Sequence, residues 1–178
     1  MERRLFIAIP IPADVADSLE AELESVRDAL PPRSRITLRE NWHFTIIFLG
    51  ETDESLIPRI KAAVEEVARE TAPIAVDFDR IQYAPPGRPP RMVWLTAKRE
   101  TSLALRAAQE KLMKRFKGAG VVWGHGHFEK FPGHVTLVRF RDAMSKKPID
   151  TSFNNGFVAT ELFLMESHLA REGPTYRE

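Results

Sequence analysis

Two stretches of the chain, "NWHFTIIFLGE" (41–51) and "HVTLVRF" (134–140), repeat one arrangement: a histidine, a threonine two positions later, then aliphatic residues. Side chains alternate along a strand, so His43 with Thr45, and His134 with Thr136, each project from a single face. An imidazole titrates near neutral pH, so one histidine can hold a proton while another lacks it. In-line displacement at phosphorus requires that division: one group takes a proton from the attacking oxygen and another protonates the leaving oxygen. Threonine hydroxyls, with a cation, would hold the non-bridging oxygens where charge is redistributed. A lone unit of this kind is more often a hydrogen-bonded strand histidine, but the second unit turns two ordinary residues into a candidate pair.

The elements that must position these residues follow from periodicity. "RLFIAI" (4–9) reads as a strand, and Val15, Leu19, Leu23, Val26 and Leu30 fall on one helical face. "SRITLRE" and "WHFTIIFLG" read as strands, followed by a helix with Asp53 at its N-cap, Pro58 in its first turns and a stripe of Leu56, Ile60, Val64 and Val67. "IAVDFDRIQY" and "RMVWLTA" are further strands around an "APPGRPP" loop, and Leu105, Leu112 and Phe116 mark a helix over 101–116. "HVTLVRF" and "FVATELFLMES" complete the strands, with the last residues as a tail. The order indicates an α+β fold with helices covering one side of largely antiparallel sheets.

The chain has 178 residues, 43% hydrophobic and 29% charged, which is ordinary for a globular protein. Its formal net charge of +1 gives no footprint of a general nucleic-acid binder. The absence of cysteine removes disulfides, thiolate catalysis and cysteine zinc sites. "MERRLFIAIPIP" is broken by Pro10 and Pro12 before it could form a signal core, and no run approaches the length of a membrane span. A cytoplasmic enzyme with no membrane partner is the expectation.

The motifs and their flanks resemble the two-histidine (2H) phosphoesterases, and within them the RNA 2′,3′-cyclic phosphodiesterases also called 2′-5′ RNA ligases. The likeness runs from "RLFIAIPIP" through "WHFTIIFLGE", "PPRMVWL" and "HVTLVRF" to "ELFLMESHLAREGPTYRE". It implies residues 1–178 as a single domain of two intertwined lobes: bilobal, two antiparallel sheets with pseudo-twofold symmetry about a central cleft, helices outside. It implies His43 as proton donor to the leaving ribose oxygen, His134 as proton acceptor activating water, and Thr45, Thr136 and Arg139 as phosphate-binding residues. The implied reaction is hydrolysis of RNA 2′,3′-cyclic phosphate ends, on tRNA halves or small cyclic nucleotides, to 2′-phosphates, with 2′-5′ ligation as the related transfer. No cofactor or metal is implied, and a monomer is expected. The family often carries proline immediately before the second motif, where this chain has Gly133 with Pro132 one position earlier.

Other residues have two readings. Strict alternation puts Arg139 opposite His134, so a bulge is needed to bring it round. Phe44, Ile46 and Phe48 fall opposite His43 and read as core. Trp94 and Tyr83 can stack on a base or fill the core, and Arg88 and Arg91 can hold a phosphate backbone or keep a loop solvated. His125 and His127 form an H-x-H in a glycine-rich stretch without further ligands at recognisable spacing, and His168 reads as a surface residue of the final turn. The rival classes are a non-catalytic RNA- or nucleotide-binding module on the same fold and a metal-dependent hydrolase built on that histidine-rich loop.

Overall fold

A computed structural model describes residues 1–124, 132–141, 147–170 and 173–178. Chain order is β1 (Glu2–Pro10), α1 (Ala13–Ser25), β2 (Arg35–Ile36), β3 (His43–Asp53), α2 (Ile57–Glu70), β4 (Ile74–Ala84), β5 (Met92–Ala97), α3 (Arg99–Ala119), β6 (His134–Arg139), β7 (Asp150–Ser152), β8 (Gly156–Ala159), β9 (Phe163–Ala170) and β10 (Gly173–Arg177). The strand path is β10-β9-β1-β3-β6-β5-β4-β7, every pairing antiparallel, with β2 against β6 and β8 against β4. Its two halves, β10-β9-β1-β3 and β6-β5-β4-β7, meet at one register pair, Phe44 across from Val135. The two expected sheets are therefore joined edge to edge through the motif strands.

Each half repeats a strand, a helix and a returning motif strand: β1-α1-β3 in one, β5-α3-β6 in the other. Alternation along β1 explains its burial, since Leu5, Ile7 and Ile9 turn to the helices while Phe6 and Ala8 turn to the opposite face. The helices answer with apolar stripes, Val15, Leu19 and Leu23 on α1, Ile60, Val64 and Val67 on α2, and Leu105, Leu112 and Phe116 on α3. All join one core with Phe44, Phe78 and Val135. Asp53 accepts from the Ser55 N–H at 2.8 Å and opens a 3-10 turn over Glu54–Leu56 before α2, so the expected cap serves that turn.

Several sequence expectations change. "SRITLRE" is a strand only at Arg35–Ile36, and its last two residues belong to a 3-10 turn at Arg39–Asn41. "FVATELFLMES" splits between β8 and β9, which pair with strands in different halves of the sheet. The tail forms β10, the edge strand beside β9, so His168 lies exposed within a strand and not in a turn. No helix among the described residues is long and apolar enough to cross a membrane.

Candidate active site

Extending the Phe44–Val135 register by one residue sets His43 across from Thr136 and Thr45 across from His134. Phe44 and Val135 are fully buried on the helix side, so alternation turns both histidines and both threonines to the other face, where all four are partly exposed. The two units lie side by side about a local twofold between the strands.

Both imidazoles are anchored alike. His43 Nδ1 lies 2.7 Å from the Asn41 carbonyl and His134 Nδ1 lies 2.8 Å from the Pro132 carbonyl. A carbonyl only accepts, so Nδ1 carries the proton in each and Nε2 is left for chemistry. His43 Nε2 is 3.0 Å from Thr45 Oγ1, whereas no described residue hydrogen-bonds His134 Nε2. Gly133 contributes to this anchoring: its N–H donates to Ser102 Oγ at 3.1 Å and its carbonyl accepts from Ala97 N at 2.8 Å. Proline at position 133 would lose that donor.

Beyond the threonines, both strands bulge. Ala8 pairs with Thr45 and Ile7 with Ile47, leaving Ile46 as the extra residue; Trp94 pairs with Thr136 and Val93 with Val138, leaving Leu137. Two consecutive residues then face the core in each strand, Ile46 with Ile47 and Leu137 with Val138, all buried. The next residue returns to the cleft face. The bulge that Arg139 required is thus present, and Arg139 lies on the face of His134. The same shift corrects the reading of Phe48: Phe44 and Ile46 are core, but Phe48 is 52% exposed on the face of His43. The bulged carbonyls are not left bare, since Gln109 Nε2 donates to Ile46 O at 2.6 Å and Thr37 N donates to Leu137 O at 2.8 Å.

The surroundings of the two histidines differ. Phe6 and Tyr176 enclose His43, with ring centroids at 5.0 and 5.1 Å, the tyrosine edge-on. Trp94 stacks on His134 at 3.7 Å with the planes 20° apart. Burial pushes both imidazoles below their ordinary value of 6.5, the carbonyl bonds at Nδ1 oppose this, and the Arg139 guanidinium lowers both further; His134 adds to the effect on His43. Burial raises the Tyr176 phenol, against which Arg139 and Arg4 act.

Tyr83 is not part of the cleft. It donates to the Ala29 carbonyl at 2.6 Å and packs edge-on against Phe140 on the helix side. Arg88 and Arg91 are exposed, and His125 and His127 lie outside the described residues. Among the described residues no three acidic or histidine side chains gather as metal ligands would. Phe6 comes to His43 through the direct pairing of β1 with β3, and Tyr176 because β10 pairs with β9 and β9 with β1, neighbours that local spacing does not reveal. The "EGPTYRE" ending was the one trace of Tyr176 in the sequence.

Residues 15–169 match the family model of the 2′-5′ RNA ligase superfamily. A Bacillus subtilis protein named RNA 2′,3′-cyclic phosphodiesterase is 28% identical, covering 97% of this chain and 92% of its own. A protein of the same name from Archaeoglobus fulgidus is 29% identical, covering 98% and 97%. A Thermus thermophilus crystal structure superposes with a TM-score of 0.81 at 27% identity, covering 98% of this chain and 93% of that one. The Escherichia coli LigT structure with 3′-AMP gives 0.73 at 25%, covering 99% and 95%. The fold and paired motifs define a two-histidine phosphoesterase, an enzyme class. The chain belongs to the 2′-5′ RNA ligase superfamily.

Proposed function

We propose that this enzyme hydrolyses the 2′,3′-cyclic phosphate at RNA ends to a 2′-phosphomonoester, with His43 and His134 as general acid and base. The observation that carries this reading is the cross-strand register, which sets each histidine beside the other motif's threonine on one face. The relatives named RNA 2′,3′-cyclic phosphodiesterase and the LigT complex with 3′-AMP support the substrate class.

His134 Nε2, free of any described partner, takes a proton from water as its oxygen attacks phosphorus. The bond from phosphorus to the ribose 3′ oxygen breaks, and His43 Nε2–H gives that oxygen its proton. The contact to Thr45 suits this assignment, because the threonine oxygen can accept from a protonated His43 and orient it. Thr45, Thr136 and Arg139 hold the non-bridging oxygens as charge shifts among them. A 5′-hydroxyl in place of water gives 2′-5′ ligation by the same transfer, without ATP. Each proton transfer contributes roughly 10² to 10⁴-fold in rate.

The test is turnover of an RNA oligonucleotide with a 2′,3′-cyclic phosphate end, with the product identified as a 2′- or 3′-phosphate. A 2′-phosphate is expected, with His43→Ala and His134→Ala each losing most turnover while staying folded, and with EDTA without effect. Full activity in either variant removes the assignment, and binding without turnover points to a non-catalytic module.

A further inference from the structure

Arg35, on the two-residue strand β2, lies directly across β6 from Arg139. Residues directly opposite in an antiparallel pair point to one face, so both guanidinium stems rise on the cleft side, starting about 5 Å apart. Both side chains are exposed, and among the described residues neither forms an ion pair; Arg139 touches only the Met92 sulfur, at 3.4 Å. Like charges directly opposite destabilise a sheet, yet no described carboxylate relieves this pair. The position is also fixed. Ile36 pairs with Val138, the Thr37 N–H holds the bulged Leu137 carbonyl, and Trp42 Nε1 donates to the Thr37 carbonyl at 3.1 Å.

We infer that Arg35 binds the internucleotide phosphate preceding the reacting cyclic end, so that the site takes an RNA strand in preference to a cyclic mononucleotide. The inference rests on the proposed function, in which Arg139 holds the reacting phosphate. A strand leaving Arg139 then meets Arg35 as the adjacent cation on the same face. Its second phosphate relieves the repulsion between the two guanidinium groups, and a mononucleotide has no such phosphate to offer. Arg35 touches no reacting atom, so its effect belongs to binding.

The experiment compares kcat/KM for an RNA hexanucleotide ending in a 2′,3′-cyclic phosphate with that for cytidine 2′,3′-cyclic monophosphate, in wild type, Arg35→Gln and Arg35→Lys. Loss of one charge-assisted contact is expected to cut the preference for the hexanucleotide by about tenfold in Arg35→Gln, mainly through KM. The dependence of log(kcat/KM) on log salt for the hexanucleotide becomes shallower by about 0.7. Arg35→Lys retains part of both. An equal loss on the two substrates, or no loss on either, overturns the inference. Anisotropy with a labelled hexanucleotide bearing a terminal 2′-phosphate separates it from the reading beneath. Arg35-dependent binding by a protein that turns over neither substrate keeps the contact and removes the phosphodiesterase, whereas turnover with Arg35-independent binding does the reverse.

Discussion

Trp94 lies face to face with the His134 imidazole, whereas the register-equivalent position in the other half, opposite Thr45, holds Ala8. The local twofold is thus broken at the proposed base. The indole covers one face of His134 and leaves its orientation to the Nδ1 bond and the stack. Trp94→Ala is expected to lower kcat on a cyclic-phosphate end about tenfold, because an aromatic contact of about 1 kcal/mol and the packing around it are both lost. Trp94→Phe keeps a stacking face and recovers most of the rate. It also removes an indole N–H that is buried without a partner among the described residues, so its stability in urea should not fall. Steady-state kinetics and urea unfolding of the two variants check this.

The charges around the histidines fix a pH dependence. The proposed base must be neutral, so activity rises as pH climbs through its pKa, and the proposed acid must be protonated, so activity falls above its own. Both imidazoles are held below 6.5, by burial first and Arg139 after it. The kcat/KM profile should therefore be a bell on the acid side of 6.5, its limbs belonging to the coupled pair. Arg139→Gln should move both limbs upward. Stability follows the same sign: a depressed histidine pKa contributes fully above about 6.5 and loses its contribution as pH falls through the folded value. The wild type should lose unfolding free energy on acidification below 6.5 more steeply than His43→Gln.

Phe48 is an exposed aromatic beside the cleft, with Phe6 behind it at 5.7 Å. Its surface suits a nucleobase, and stacking on an aromatic contributes about 1–3 kcal/mol per base. Phe48→Ala should raise KM for a cyclic-phosphate oligonucleotide about tenfold with little change in kcat. Because half the ring is already in water, the melting temperature should scarcely move. Kinetics alongside a thermal melt separate these effects.

Gln109 reaches from α3 to the Ile46 carbonyl, the group that the β3 bulge takes out of the ladder. Gln109→Leu leaves that carbonyl buried without its donor, at a cost of about 1–3 kcal/mol. Urea unfolding measures the loss. A drop in kcat exceeding that of an exposed α3 control such as Leu103→Ala would mark the bulge as part of what orients His43 and Thr45.

The repeated H-x-T units, the α+β order and the apolar stripes of α1, α2 and α3 were legible because local periodicity carries them. Arg139 and Phe48 were less legible because alternation counts residues, and a bulge adds one without any letter to announce it. Ile46 and Leu137 are ordinary strand formers, so nothing in "FTIIFL" or "VTLVRF" marks where the count slips. Tyr176 and Phe6 were missed for a different reason: Phe6 reaches His43 through the pairing of β1 with β3, and Tyr176 through β10 joining β9 and β9 joining β1, pairings remote in sequence. Trp94 was open between stacking on a base and core; it is buried, 8% exposed, and its ring face is taken by the His134 imidazole, a contact that neither reading named.

The paired bulges make the spacing of these strands as informative as their letters. Removing Ile46 or Leu137 would delete the extra residue and restore plain alternation, leaving Phe48 and Arg139 on the histidine face. Inserting one more residue there would turn everything after it over, sending Phe48 or Arg139 toward the helices and a core residue toward solvent. A single-residue insertion there should therefore harm the protein more than most substitutions at the same position. In this fold the sixth position counted from each motif histidine belongs to the cleft as surely as the third, and a search for such sites by sequence gains by counting that far.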